Sequence, residues 1–294
     1  MAVTRTGSFP IGFRCNCPWQ ESSDAAIDFA LEHGFEAIDV SARPPEELRR
    51  ILDAGLHIGS VDVPWPWGEL AASDAARRRD AVDVKAAYIT SAVQTGVRLF
   101  FLCAFPDDET RPRHESFTHL VDGLGRLCQA VSTCGARLVL EGYPGNPPRY
   151  PTFGCTPADL RLLFAELGDQ VLSINFDPSH LIRMGIDPLR FVKEFARQIH
   201  HVHAKDTQLL ADGLYEHGNL QPATHAEPHP FGGHHWRYTI PGHGCTPWTG
   251  LLQLLAESGY HGAVSIELED ENYNGAEKSE KQGFLESKTF LESV

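Results

Sequence analysis

Short apolar runs rich in β-branched residues alternate along the chain with longer amphipathic runs. The short ones read as strands buried on both faces and the long ones as helices packed over them. The first pair is Ile11–Cys15 and a helix opening near Ser22, where Ser22-Ser23-Asp24 supplies N-cap side chains. Ala37–Val40 leads into a helix from Pro45 to Ala54, with proline in a first turn, and His57–Val63 into a helix from about Ala71 to Thr95. Arg98–Ala104 precedes a helix from near His114 to Thr133. Arg137–Glu141 precedes one that opens at Thr156-Pro157-Ala158-Asp159. Leu172–Asp177 is followed by a helix from Asp187 to about Gln198. The seventh run is His200–Asp206 (HHVHAKD), and the eighth is Ala263–Asp270 (AVSIELED), with helices over Trp248–Ser258 before it and from about Glu280 after it.

Eight strand-then-helix units, with no two-half dinucleotide pattern, predict an α/β fold, a closed (β/α)8 TIM barrel formed by a single domain over residues 1–294. One connection breaks the rhythm. After strand 7, Thr207 to Pro241 is rich in Gly, Pro and His and far longer than the few residues usual there, which marks it as a lid, a substrate arm or an oligomer contact.

Charge narrows the function classes. The chain carries 25 Lys and Arg against 39 Asp and Glu, a net charge of −14. That balance disfavours nucleic acid and anionic membrane as partners and leaves a small polar substrate. No apolar window reaches 18 residues and the first residues lack an apolar signal core, so a cytoplasmic protein with no membrane partner is expected. Seven cysteines, an odd number without repeated C-x-x-C spacing, predict reduced thiols. Cys15 and Cys17, on one strand face, are expected to pack in the core or at its rim.

In a barrel of this kind, side chains at the carboxyl ends of the strands converge on one rim. The polar residues there on strands five to eight are Glu141, Asp177, His203 and Glu267. Three carboxylates and an imidazole form an oxygen-rich set for one divalent cation, Mn²⁺ first, with Mg²⁺, Co²⁺ or Zn²⁺ as alternatives. His180, three residues past Asp177, can meet substrate or exchange protons, or cap a helix. Lys205 can stabilise an enolate oxygen, or pair with Asp206 beneath the site. Alternation places His201 deeper in the barrel as a core histidine, and the histidines of the long connection (His217, His225, His229, His234, His235, His243) read as solvated.

The motifs LEGYPGN, INFDPSHL, HVHAKD, WRYTIPGHGCTPW and GYHGAVSIELED, in that order, resemble those of the xylose isomerase-like TIM-barrel superfamily. The likeness is greatest to bacterial sugar phosphate isomerase/epimerase proteins. The resemblance implies one divalent metal held by Glu141, Asp177, His203 and Glu267, with Glu141 and Glu267 as acid and base. It also implies that His180 faces substrate and that Arg237, ahead of the PGHG turn, contacts it. Two departures stand out: Pro147 occupies the place of a further glutamate common in epimerases, and the long connection exceeds that of simple ketose epimerases.

The expected activity is metal-dependent isomerisation or epimerisation of a sugar or keto-polyol through an enediolate. The alternative is a lyase of the same fold, cleaving a 3-keto-glycoside (C-deglycosylation included) or dehydrating an inosose. Phe231, Trp236 and Tyr238 on the long connection would then cover an aglycone. The expected partner is a carbohydrate, in a homo-oligomer, or in a hetero-oligomer in which the chain serves as a binding subunit.

Overall fold

The computed structural model describes residues 2–147 and 149–294. Its strands are β1 (Ile11–Arg14), β2 (Ala37–Val40), β3 (His57–Asp62), β4 (Leu99–Cys103) and β5 (Arg137–Glu141). They continue as β6 (Leu172–Phe176), β7 (Ile199–Ala204), β8 (Asp206–Leu209), β9 (Trp236–Thr239) and β10 (Val264–Ile266). Eight of them close a barrel in the order β1-β10-β7-β6-β5-β4-β3-β2, while β8 and β9 form a separate antiparallel pair. The (β/α)8 expectation holds. Parallel register sets Cys103 of β4 beside Glu141 of β5, Glu141 beside Asn175 of β6, and Ser265 of β10 beside His203 of β7.

Compact packing divides the chain into two units, residues 1–39 with 177–197 and 202–294, and residues 40–176 with 198–201. In the first, β1 is sealed by aromatic contacts. The buried Phe13 ring meets Phe29, Phe35 and Phe284 with centroids 5.7, 5.0 and 5.2 Å away. These separations suit edge-to-face packing, which adds about 0.5–1.5 kcal/mol per pair beyond the apolar area removed from water. In the second, β4 and β5 bury Phe101, Cys103 and Val139. The 3-10 turn Trp67–Ala71 packs there on the helix Arg113–Val131.

Five segments depart from the sequence reading. A short helix, Pro178–Arg183, follows β6 at once, with Asp177 as its N-cap and Pro178 in its first turn. The signal was local, but the run is too short for a periodic pattern. The helix expected from about Ala71 starts at Ala75, capped by Asp74, and the preceding residues form the 3-10 turn. The seventh run divides, with β7 ending at Ala204 and Asp206 opening β8.

The reason is the buried Asp206 carboxylate. It accepts hydrogen bonds from the amides of Thr207, Gly242 and Thr246, from the Thr246 hydroxyl at 2.6 Å and from Trp248 Nε1. The long connection is therefore organised: β8, the helix Ala211–His217 and β9 occupy much of Thr207–Pro241. The eighth run keeps its ladder only from Val264 to Ile266, because Asp270 turns away to accept bonds from the Ile240 and Asn272 amides.

All seven cysteines are free thiols, and Cys17 is buried while Cys15 is half-buried. Among the described residues no helix is long and apolar enough to cross a membrane.

Two glycines of the helix Arg113–Val131 test local propensity against packing. Alanine in a helix interior normally gains about 1 kcal/mol over glycine. A Cβ on Gly123, however, would lie 1.9 Å from the Leu70 carbonyl oxygen, whereas one on Gly125 meets only Leu167 Cδ2 at 3.0 Å. Gly123→Ala should therefore cost about 1–3 kcal/mol by overpacking. Gly125→Ala should be neutral or gain up to about 1 kcal/mol. Denaturant midpoints of the two variants check this, and equal midpoints would contradict it.

Candidate metal centre

Asp177, His203 and Glu267 stand at or just beyond the carboxyl ends of β6, β7 and β10, and all three are buried. Asp177 is held by its own helix cap, since Oδ1 accepts the Ser179 amide at 2.8 Å. Its other oxygen lies 3.2 Å from Lys205 Nζ and 3.4 Å from His180 Nε2. The His203 ring spans two carboxylates, Nε2 lying 3.4 Å from Asp39 Oδ2 and Nδ1 3.6 Å from Glu267 Oε2. A carboxylate behind an imidazole orients the ring and raises its basicity as a ligand.

Lys205 is the centre of this network. Its buried ammonium reaches Glu267 Oε2 at 2.6 Å, Glu269 Oε2 at 2.9 Å and Asp177 at 3.2 Å. Burial by itself pulls the lysine pKa down, but Asp177, Glu267 and Glu269 together push it well above the ordinary value, so the ammonium is permanent. Glu267 answers in the opposite sense. Burial raises its pKa, and Lys205, His203 and Arg14, the last at 3.3 Å, outweigh that and hold the carboxyl well below the usual range.

Glu141 ends β5 in different company. Its Oε1 accepts the Asn175 amide at 2.7 Å, and Cys103 Sγ lies 4.0 Å from Oε2. One donor atom from each of Glu141, Asp177, His203 and Glu267 falls within 4.8 Å of the others. The donor set fits a hard divalent ion on two grounds. It is oxygen-rich. In addition, all four donor residues are buried, so three carboxylates of one set lie out of water, where a bound cation offsets their lost hydration.

The other expected residues are placed as follows. His180 is buried beside Asp177, and its Nδ1 shares a 2.6 Å hydrogen bond with the Tyr238 hydroxyl. Lys205 does not pair with Asp206, which serves the loop donors instead. Arg237 donates to Gln208 Oε1 at 2.8 Å and bonds Glu271, tying β9 to the segment after β10. Trp236 and Tyr238 do not form an outer cover. Both are buried, with Arg183 over the Trp236 ring at 4.6 Å and Lys205 Nζ over the Tyr238 ring at 4.5 Å. Phe231 remains exposed.

His201 is fully buried and, with Asp39 and His203, forms a second group of donor atoms within 4.8 Å. None of the histidines from His217 to His243 belongs to either group found among the described residues. Sequence reasoning passed over Asp39, Arg14, Glu269 and Asn175. Two left a trace: Asp39 is a carboxylate in an otherwise apolar run, and Glu269 repeats Glu267 at strand spacing.

With the geometry known, comparison with other proteins is informative. A family model described as xylose isomerase-like TIM barrel matches residues 27–294. The chain belongs to that family. This xylose isomerase-like barrel is 33% identical over 154 residues to the uncharacterized protein YfiH of Bacillus subtilis (strain 168), an alignment taking in 49% of this chain and 44% of that one. It thus spans about half the length of the first relatives it matches. An inosose dehydratase of Clostridium botulinum (strain Alaska E43 / Type E3) is 24% identical over 263 residues, covering 86% of this chain and 84% of its own.

Among solved structures, 3-keto-D-glucoside 4-epimerase, YcjR, from E. coli superposes with a TM-score of 0.70 at 18% identity, covering 97% of this chain and all of its own (100%). D-psicose 3-epimerase from Clostridium cellulolyticum H10 gives 0.72 at 15% identity over 97% and 99% of the two chains. At these identities the superpositions establish the fold of this family member, and, YfiH apart, the named relatives and neighbours are a dehydratase and two epimerases.

The tie between β9 and Glu271 is sensitive to acid. Burial raises the Glu271 pKa, while its bonds to Arg237 and His229 draw it below the ordinary glutamate value. A carboxyl depressed in the folded state stabilises it above the unfolded value of about 4.3. That contribution disappears as pH falls through the lower, folded value. Hydrogen-exchange protection of β9, corrected for intrinsic rates, should drop below pH ~4 in the wild type. In Glu271→Gln it should already be reduced at pH 7, and unaltered protection in this variant would dismiss the tie.

Proposed function

We propose that the chain is a divalent-metal-dependent isomerase or epimerase of a sugar or keto-polyol. In this reading it works as a single domain, with Mn²⁺ the first candidate ion and a homo-oligomer in the cytoplasm the expected context. The observation that carries the reading is the convergence of two carboxylates, Glu141 and Glu267, with Asp177 and His203 in one buried donor set. Glu141, Asp177, His203 and Glu267 would hold the ion. When bound, it supplies positive charge to a substrate carbonyl and neighbouring hydroxyl, acidifying the C–H bond between them.

The protein supplies the proton traffic. Glu267, kept ionised by Lys205, His203 and Arg14, is ready to accept a proton whenever substrate arrives. Glu141, the other carboxylate of the donor set, takes the opposite part in this reading, giving a proton where Glu267 takes one. Returning the proton to the opposite face of the carbon gives epimerisation, and returning it to the adjacent carbon gives isomerisation, in both cases through an enediolate.

His180 stands beside them. Burial drives the Tyr238 pKa well above the ordinary value, so the hydroxyl that shares a 2.6 Å hydrogen bond with His180 Nδ1 keeps its proton. The other ring nitrogen, Nε2, lies 3.4 Å from Asp177 Oδ2. Lys205, fixed by three carboxylates, positions Glu267 and cannot serve as a base. Arg237 reaches substrate in this reading only by releasing Glu271.

A lyase outcome, by dehydration or by cleavage of a 3-keto-glycoside, is the second reading. It is favoured by the inosose dehydratase relatives that align over most of the chain. Incubation of the Mn²⁺-loaded protein in D₂O with a panel of ketoses, inososes and 3-keto-glycosides separates the two. Deuterium entering an unchanged carbon skeleton supports the first, and release of water or aglycone supports the second. A metal-loaded protein that does neither across the panel would sink both.

Glu267→Gln should lower turnover by about 10²–10⁴-fold. Asp39→Asn should weaken metal binding by about 10–100-fold, with turnover recovering at saturating metal. Calorimetric metal titration alongside the rate assay distinguishes these, and an Asp39→Asn variant with native metal affinity would remove that residue from the centre.

A further inference from the structure

The loops that follow β3, β4 and β5 carry a group of aromatic rings to which the proposed chemistry gives no role. Trp65 and Trp67 lie three and five residues past β3, Phe105 two past β4 and Tyr143 two past β5, so all stand on the rim where Glu141 ends its strand. The rings touch in series. Trp67 packs edge-on to Phe101 at 5.6 Å and lies flat against Phe105 at 6.2 Å, and Phe105 meets Tyr143 at 6.3 Å. Trp65 closes the series outward, at 5.3 Å from Trp67 and 5.9 Å from Phe105. The inner end reaches the donor set: Trp67, Phe105 and Tyr143 pack on a buried cluster containing Cys103, whose sulfur is 4.0 Å from Glu141 Oε2.

Three properties of this wall define what it takes. First, Trp65 is 68% exposed, a high value for an indole in contact with two other aromatic rings. It stands at 70° and 76° to Trp67 and Phe105, so its own faces are not stacked on theirs. Second, the polar edges of the inner rings are committed to the chain. Trp67 Nε1 donates to the Val63 carbonyl at 2.6 Å and the Tyr143 hydroxyl to Asn146 Oδ1 at 3.1 Å. The inner rings thus present π faces with their donors already used, which suits a flat apolar group better than a second hydroxylated ring needing hydrogen bonds at its edge. Third, the wall begins beside Glu141 and ends in solvent, so a group lying on it would be joined to whatever sits at the donor set.

We infer that this wall is a binding subsite for a planar aromatic substituent, and that the substrates are aryl glycosides whose sugar ring carries a ketone, the carbonyl the proposed chemistry needs, rather than free monosaccharides. The inference rests on the reading that a sugar sits at the Glu141 donor set, and it extends that reading by naming the substrate class. Trp65 is then a specificity-determining residue outside the reacting centre.

The test compares binding of phenyl β-D-glucopyranoside and methyl β-D-glucopyranoside to the Mn²⁺-supplemented protein by calorimetry and saturation-transfer NMR. The phenyl compound should bind up to about 10-fold more tightly, the yield of one or two ring contacts. Saturation should transfer most strongly to its aromatic protons. Trp65→Ala, at an exposed position that leaves the core intact, should abolish the preference. Trp65→Phe should restore part of it, and Glu267→Gln should keep it.

A phenyl glycoside that binds no more tightly than the methyl one, or a preference unaltered in Trp65→Ala, overturns the inference. So does a Trp65→Ala variant whose only change is in oligomeric state, which would make the wall a protein-docking surface. Because these readouts are binding ratios, they fail separately from the deuterium-exchange assay: loss of exchange with the ratio intact removes the isomerase reading alone.

Discussion

Burying an ammonium group removes hydration that nearby charge must replace, and at Lys205 three carboxylates do so within 3.2 Å. The arrangement works in both directions. The lysine keeps Glu267 and Asp177 ionised in a buried place, and they keep the lysine protonated. Because the donor set keeps three carboxylates out of water, it remains hungry for positive charge, and this residual demand makes the strand ends a metal centre in prospect rather than a closed set of ion pairs. Asp39, behind His203, continues the same logic one step outward by orienting the imidazole through its far nitrogen.

A second carboxylate, Asp206, has an architectural task. Five donors converge on it, from β8, from the turn around Gly242 and Thr246, and from the Trp248 indole. Gly244 is part of that design, for a Cβ there would fall 2.3 Å from the Asp206 oxygen. The convergence brings β9 inward, seats Tyr238 against His180 and Lys205, and converts an expected loop into a component of the centre. Lys205 and Asp206 are neighbours in sequence with opposite duties: one serves the donor set, the other shapes the arm.

Much of the architecture could be read in advance. Ala37–Val40 and Arg137–Glu141 are strands with the boundaries expected, because each is an apolar β-branched run bounded by turn residues. The four ligand candidates were legible for the same reason, as polar residues at the ends of apolar runs. The short helix after Asp177 and the early end of the eighth strand were not. Both depend on where a carboxylate finds its donors, and Asp270 finds Ile240 thirty residues away.

What the sequence by itself determined is the alternation of strand and helix, the closed barrel that alternation implies, and the residue types at each strand end. Period and propensity are local properties, so a single chain displays them without its fold. What only the tertiary structure decided is the company each group keeps: that Lys205 faces three carboxylates and not Asp206, that Arg237 is tied to Glu271, and that Trp236 and Tyr238 turn inward while Trp65 faces solvent. Charge pairing and ring burial arise from residues far apart along the chain, and no local pattern records which distant partners the closing barrel will bring together.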